Sequence, residues 1–188
     1  MVEKTQKDIL IIGAAGLLGK ALVAILSKSF RVYGTKKDEL DITQPETICL
    51  ICEKIKPKII VLAAAFTDVD KSEEQPEQAR LVNVQGFRNV AEVARTYQAK
   101  LIAFSSDYVF DGKKKTPYTE NDSPNPLSVY AYSKWQGEKA IQKAYDQCVI
   151  IRTAWLFGEG TKGFVPYVID SVKNKTKSYH LGCCFYGC

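Results

Sequence analysis

DILIIGAAGLLGKAL, residues 8–22, sets four apolar residues directly before Gly13, Gly16 and Gly19, and a mostly apolar segment after them. A short unbroken apolar run reads as a strand buried on both faces. The segment that follows, residues 16–29, reads as a helix. Glycines between a strand and a helix allow a tight turn and let a pyrophosphate approach the backbone, where the helix N-terminus adds free N–H donors and a positive dipole. Glycines serving turn geometry alone are the other reading of the same pattern.

The alternation continues along the chain. Strands are expected at 30–35 (FRVYGT), 57–65 (PKIIVLAAA), 100–106 (KLIAFSS) and from 148 (CVIIRTAWLFG). Helices are expected over 43–55, with Thr43 as cap and Pro45 in the first turn, and over 75–99, with Val82, Val90 and Val93 on one side. A further helix is expected over 128–145, led in by Asn125 as cap and Pro126. Strands alternating with helices predict an α/β fold, a Rossmann-like doubly wound parallel sheet with helices on both faces. Ligands bind outside the carboxyl ends of such strands.

The residues at those ends suit a dinucleotide. The second strand runs into Lys36 and Lys37 with no carboxylate before Asp38, which favours the 2′-phosphate of NADP over the free ribose of NAD; two solvated lysines are the alternative. Asp41 can accept from an adenine amino group while Ile42 packs on the ring. The small side chains of Ala63, Ala64 and Ala65, with Thr67 beyond them, let a nicotinamide ribose lie against backbone, although helix–sheet packing asks for the same residues. Ser105 and Ser106 end the fourth strand, and a hydroxyl there can bond a substrate carbonyl. Tyr130 and Lys134 stand four apart, on one face of the expected helix. An ammonium one turn away is expected to lower the tyrosine pKa and make a proton-transfer pair. Tyr132 cannot share that face and is assigned to packing or rim. The long polar loop from Asp107 to Pro126 is expected to be functional.

Composition excludes several classes. The 188 residues suffice for one sizeable core, and 46% hydrophobic with 25% charged residues is ordinary for a globular protein. A formal charge of +5 is mild, and the runs at 113–115 and 173–177 lack interleaved aromatics, so nucleic-acid binding is not expected. No run is long enough for a membrane span and the N-terminus lacks a signal-peptide core, so a cytoplasmic protein with reduced thiols is expected. Cys49 and Cys52 read as a buried structural pair more than a redox motif. One histidine, His180, makes no typical zinc site, and no metal is expected.

Together the stretches GAAGLLG (13–19), LDIT (40–43), AAAFTDVDKSEEQPEQARLVN (63–83), SSDYVFDGKKKTPYTENDSPNPLSVYAYSKWQGEKA (105–140) and IIRTAWLFGEGTKGFV (150–165) resemble the extended short-chain dehydrogenase/reductases. More narrowly they resemble the dTDP-4-dehydrorhamnose reductase family. The glycine array and Tyr-x-x-x-Lys belong to the whole superfamily; the 105–140 stretch is far more specific. The resemblance implies that Tyr130 protonates the C4 oxygen of a 4-keto nucleotide sugar as NADPH, or NADH in its place, reduces it to dTDP-L-rhamnose. It implies that Lys134 tunes Tyr130 and bonds the nicotinamide ribose, and that Ser106 stands where the family usually has threonine. Gly13, Gly16 and the backbone at Leu17 and Leu18 would hold pyrophosphate, Asp41 and Ile42 would meet adenine, and Ala63, Ala64, Ala65 and Thr67 would flank the cofactor. Tyr108 and Trp155 match positions that contact the sugar nucleotide. A homodimer is left open. A non-catalytic NADP-binding regulatory module, a truncated inactive fragment, and an epimerase or dehydratase of the same superfamily are the alternatives. Ala131 and Tyr132 depart mildly from the family pattern. The tail from Tyr179 to Cys188 departs from it altogether, holding half of the six cysteines, so residues 1–178 are expected to form the dinucleotide-binding domain, with the C-terminal substrate domain largely missing.

Overall fold

The computed structural model describes residues 8–158 and 164–174; the cysteine-rich tail and His180 lie outside them. Five strands, β1 (Asp8–Ile12), β2 (Arg31–Thr35), β3 (Ile59–Leu62), β4 (Lys100–Ser106) and β5 (Cys148–Thr153), form one sheet in the order β2-β1-β3-β4-β5. Every pairing is parallel, with Ile12 beside Thr35 on one side and Leu62 on the other. The helices are α1 (Leu17–Leu26), α2 (Pro45–Ile55), α3 (Val69–Glu74), α4 (Pro76–Arg80), α5 (Phe87–Thr96), α6 (Val129–Ala144) and α7 (Phe164–Lys173). Side chains alternate along each strand, so the sheet has two cores. Leu10, Ile12, Ile60, Leu62, Leu101 and Ala103 pack with Ile48 of α2, Val90 and Ala94 of α5 and Ile141 of α6. Ile9, Ile11 and Val61 meet Leu22, Val23 and Leu26 of α1 on the other face. The expected Rossmann-like sheet with helices on both faces is present. Cys52 is fully buried and Cys49 packs beside the same core, both as free thiols.

Several boundaries differ from expectation, each for a local reason. β3 stops at Leu62, not at residue 65, because its partner β1 ends at Ile12 and the last bond runs from the Ala63 amide to the Ile12 carbonyl, 2.9 Å. The helix expected over 75–99 contains a π-helical turn at Leu81–Gly86 between α4 and α5. Helix α3 was not anticipated; Asp68 caps it by accepting from the Lys71 amide at 3.0 Å. Thr43 does not cap α2, since its hydroxyl is spent on Asp41 at 2.8 Å. Asn125 does not cap α6 either. Ser128 does, accepting from the Ala131 amide at 3.1 Å, and Glu73 of α3 takes the Val129 amide at 2.8 Å. Asn125 instead ties the loop together, donating to Asp111 at 3.0 Å.

Helix α6 lies unusually close to the π turn. A Cβ on Gly137 would stand 2.2 Å from the Asn83 carbonyl oxygen and 3.0 Å from the Phe87 ring. Backbone cannot yield cheaply at that distance, so Gly137→Ala is expected to cost about 1–3 kcal/mol. Urea unfolding of the two proteins measures the difference.

Candidate active site

All five strands point the same way, so their carboxyl ends collect Gly13, Lys36, Ala63, Ser106 and the residues after Thr153 along one edge. At the centre Gly13 adopts φ +91°, and a Cβ there would stand 2.6 Å from the Ala64 amide nitrogen. Only glycine fits both conditions. Gly16 is different: it precedes α1 in an extended conformation, and a Cβ on it would meet only the Gly13 carbonyl oxygen, at 3.4 Å. Packing therefore does not demand a glycine there. Its bareness leaves the start of α1 open, where the amides of Leu17 and Leu18 belong to the unpaired first turn and no side chain or acidic residue caps them.

Asp41 and Ile42 follow β2 at the far end of this edge. Burial pushes the Asp41 carboxyl up, but two hydrogen bonds from Thr43 and the Lys37 charge outweigh it and hold the group below the usual carboxylate range. The Asn89 side chain fixes the Ile42 carbonyl at 2.9 Å, setting where this loop lies. Lys36 is exposed, and its amide donates to the Glu39 carboxylate at 2.8 Å. Ala63, Ala64 and Ala65 are half-buried, the first two against Gly13, and Thr67 is exposed.

The other end gathers Ser106, Tyr108, Tyr130, Lys134 and Trp155. Ser106 Oγ accepts from the Tyr108 amide at 3.2 Å and donates to Asp107 at 3.1 Å. The Tyr108 ring meets Tyr130 edge-on at 6.2 Å, and Trp155 Nε1 donates to the Tyr108 hydroxyl at 3.1 Å. Trp155 nevertheless stands 63% exposed, so that side of the cluster is open. Lys134 is 3% exposed; its Nζ donates to the Phe104 carbonyl at 2.7 Å and lies 4.3 Å over the Phe87 ring. Ser105 Oγ, buried on β4, has no protein partner. Tyr132 sits on the exposed side against Trp135. An open groove of about 1050 Å³ between the 107–120 segment, α6 and β5 flanks this end but is lined by neither Tyr130 nor Lys134.

The electrostatics depart from the sequence expectation. Burial raises the Tyr130 pKa, the Ser106 hydroxyl opposes it, and Asp107 and Tyr108 add to the rise. The phenol is therefore held protonated rather than poised to ionise. Burial pulls the Lys134 ammonium down to about 7, against the Glu138 carboxylate, which favours the charge. Lys134 turns to a carbonyl and a ring, so its charge is not spent on lowering Tyr130.

Three residues that hold this site carried no role in the sequence reading. Asn83 is fully buried and clasps the loop after β3 through Phe66 O and N, both at 2.9 Å, while donating to Ser133 of α6 at 2.9 Å. A signal was there: Asn83 shares a stripe with Phe87, Val90 and Ala94, all buried, and a polar residue in such a stripe needs a partner. Glu138 and Arg152 form a bidentate pair, 3.0 and 2.7 Å, across α6 and β5, which sequence separation concealed.

A five-stranded parallel sheet with helices on both faces and a glycine turn after β1 places the chain in the Rossmann-like class of fold. The chain belongs to the family described as the RmlD substrate binding domain, whose model matches residues 7–179. It is 38% identical over 169 residues to a dTDP-4-dehydrorhamnose reductase of Aggregatibacter actinomycetemcomitans, covering 89% of this chain and 58% of the relative. It is 37% identical over 163 residues to a probable dTDP-4,6-dihydroxy-2-methyloxan-3-one 4-ketoreductase of Streptomyces antibioticus, covering 86% and 55%. Among solved structures, the Bacillus anthracis dTDP-4-dehydrorhamnose reductase in complex with NADP superposes with TM-score 0.88 at 35% identity, covering 90% of this chain and 61% of that one. The chain thus spans less than two thirds of the length of these relatives. Among the described residues no helix is long and apolar enough to cross a membrane.

The buried Lys134 makes stability depend on pH. With a folded value near 7 and an ordinary unfolded value near 10.4, the unfolded chain holds a proton that the folded chain has released. Stability then rises with pH between those values, by at most about 1.4 kcal/mol per unit. Above pH ~9 Cys52, pushed up to about 12 by burial, acts in the opposite direction. Urea unfolding between pH 6 and ~9 is expected to show the rise in the wild type and a flatter profile in Lys134→Met.

Proposed function

We propose that this chain carries the cofactor-binding and proton-transfer part of an NADPH-dependent reductase acting on the 4-keto group of a dTDP-linked 6-deoxy sugar, dTDP-4-dehydro-6-deoxy-L-mannose, to give dTDP-L-rhamnose. The observation that carries it is the meeting of Ser106 and Tyr130, the phenol held protonated, at the same sheet edge as the Gly13 turn. A general acid must hold its proton until charge develops on the acceptor oxygen.

The residues present fit a dinucleotide. Gly13 admits close backbone approach, Gly16, Leu17 and Leu18 offer a bare helix start to pyrophosphate, and Asp41 with Ile42 suits an adenine edge and face. Ala63, Ala64, Ala65 and Thr67 would line the path to the reaction end, and Lys36 would meet a 2′-phosphate. The NADP in the Bacillus anthracis structure supports NADPH, with NADH as the weaker alternative. When bound, the cofactor supplies the hydride. Tyr130 then protonates the C4 oxygen, and the Ser106 hydroxyl bonds that oxygen and orients it. Lys134, one turn on, would bond the nicotinamide ribose. Tyr108 and the exposed Trp155 would meet the sugar nucleotide.

The test is loss of NADPH absorbance with purified protein and the dTDP-4-keto sugar. Tyr130→Phe is expected to lower turnover by at least ~100-fold while NADPH affinity, read by fluorescence titration, stays within about 3-fold. NADPH binding without turnover in the wild type would replace this reading with the non-catalytic cofactor-binding one. Lys36→Ala is expected to weaken NADPH by ~5–10-fold and leave NADH unchanged, the loss of one partly screened phosphate contact.

A further inference from the structure

β2 runs into two lysines, yet the fold returns a carboxylate to its end. β1 stops at Ile12 beside Thr35, and the Thr35 carbonyl accepts from the Gly13 and Ala14 amides, at 3.1 and 2.9 Å. The next amide, that of Lys36, lies past the last strand pair. Glu39 folds back and takes it, Oε2 accepting at 2.8 Å. The Lys36 carbonyl accepts in turn from the Glu39 and Leu40 amides, at 3.2 and 2.9 Å. Leu40 is 2% exposed and anchors the far side of this turn in the core. The Glu39 carboxylate is thereby held over the carboxyl end of β2, beside the glycine turn, while Lys36 and Glu39 are both exposed.

Dinucleotide-binding folds hold the adenosine ribose at this place, and an acid there accepts from the ribose hydroxyls. A carboxylate has two oxygens and room for several donors, so a bond from the Lys36 amide leaves Glu39 able to take a 2′-hydroxyl as well. A 2′-phosphate meets it differently. Such a phosphate carries a charge of about −1.5 to −2 and is itself a strong acceptor. The carboxylate repels it and competes with it for the same Lys36 amide. The Lys36 ammonium pulls the other way. Preference for the phosphorylated cofactor is then the difference between two opposed charges held in one turn.

We infer that Glu39 is a specificity-determining residue for the cofactor: by holding the Lys36 amide with a negative charge it lowers the preference for NADPH that Lys36 confers, and so keeps NADH usable by the same site. This rests on the reading of the edge from Gly13 to Ile42 as a dinucleotide site. Of the neighbouring charges, Lys37 acts on Asp41.

The experiment is a fluorescence titration of the full chain with NADPH and with NADH, read as the ratio of the two dissociation constants. Glu39→Gln removes the charge and keeps an oxygen for the Lys36 amide. It is expected to raise the preference for NADPH ~5-fold in low salt, and ~0.5 M salt is expected to shrink that gain, because exposed charges are screened. Glu39→Ala removes charge and acceptor together and is expected to raise the preference too. A side chain that only closes the turn predicts otherwise: Gln would behave as wild type, and Ala would weaken both dinucleotides alike. Both variants change an exposed side chain, so the fold is expected to survive them. An unmoved ratio in Glu39→Gln, with both dinucleotides bound, overturns this proposal alone. A chain that binds neither dinucleotide overturns the cofactor reading and this proposal with it. The titration reads binding, so a chain that never turns over answers it all the same.

Discussion

The placement of β1 between β2 and β3, and the backbone contact at which it ends, is the constraint on which everything else hangs. Ile12 pairs on both sides, and one residue later Gly13 turns with its backbone against Ala64. That contact fixes three things together: where β3 stops, where α1 starts and how deep the floor of the crevice lies. Any side chain at Gly13 would push β1 and the 63–65 segment apart. The Gly13 turn and the Ser106–Tyr130 end would then lose their common reference.

A second set of constraints holds the Ser106–Tyr130 end, and it runs through polar side chains buried among apolar ones. Asn83 joins the loop after β3 to α6, and Ser128 with Glu73 fixes where α6 begins. Tyr130 and Lys134 thus sit on a helix whose first turn is satisfied from two other elements. The π turn carries Asn83, and such turns are frequent at functional sites. Here Asn83 faces the Phe66 backbone while Phe87 stays in the core.

The sequence made the sheet legible because its strands are buried runs and its glycines stand directly after one of them. It made the Tyr130–Lys134 face legible because helical spacing is a local property. What it hid were contacts between residues distant in sequence but close in space. Nothing near Asn125 shows that Asp111, 14 residues earlier, claims its side chain, so Asn125 read as a cap. The lowered tyrosine pKa was expected from spacing alone; burial, which depends on every packed neighbour, reversed its sign. Spacing makes Lys134 a charge for Tyr130, yet the carbonyl that receives it belongs to β4, 30 residues away.

The strand order has a consequence for how such a sheet is made. After β2 is laid beside β1, each later strand joins the side away from it: β3 on β1, β4 on β3, β5 on β4. Order of synthesis and order in space then agree, and no strand must be inserted between two already paired. A chain emerging from the N-terminus can add one β–α unit at a time to a growing margin, with each loop closed over a short span of sequence. From β3 onward the newest strand is the template for the next.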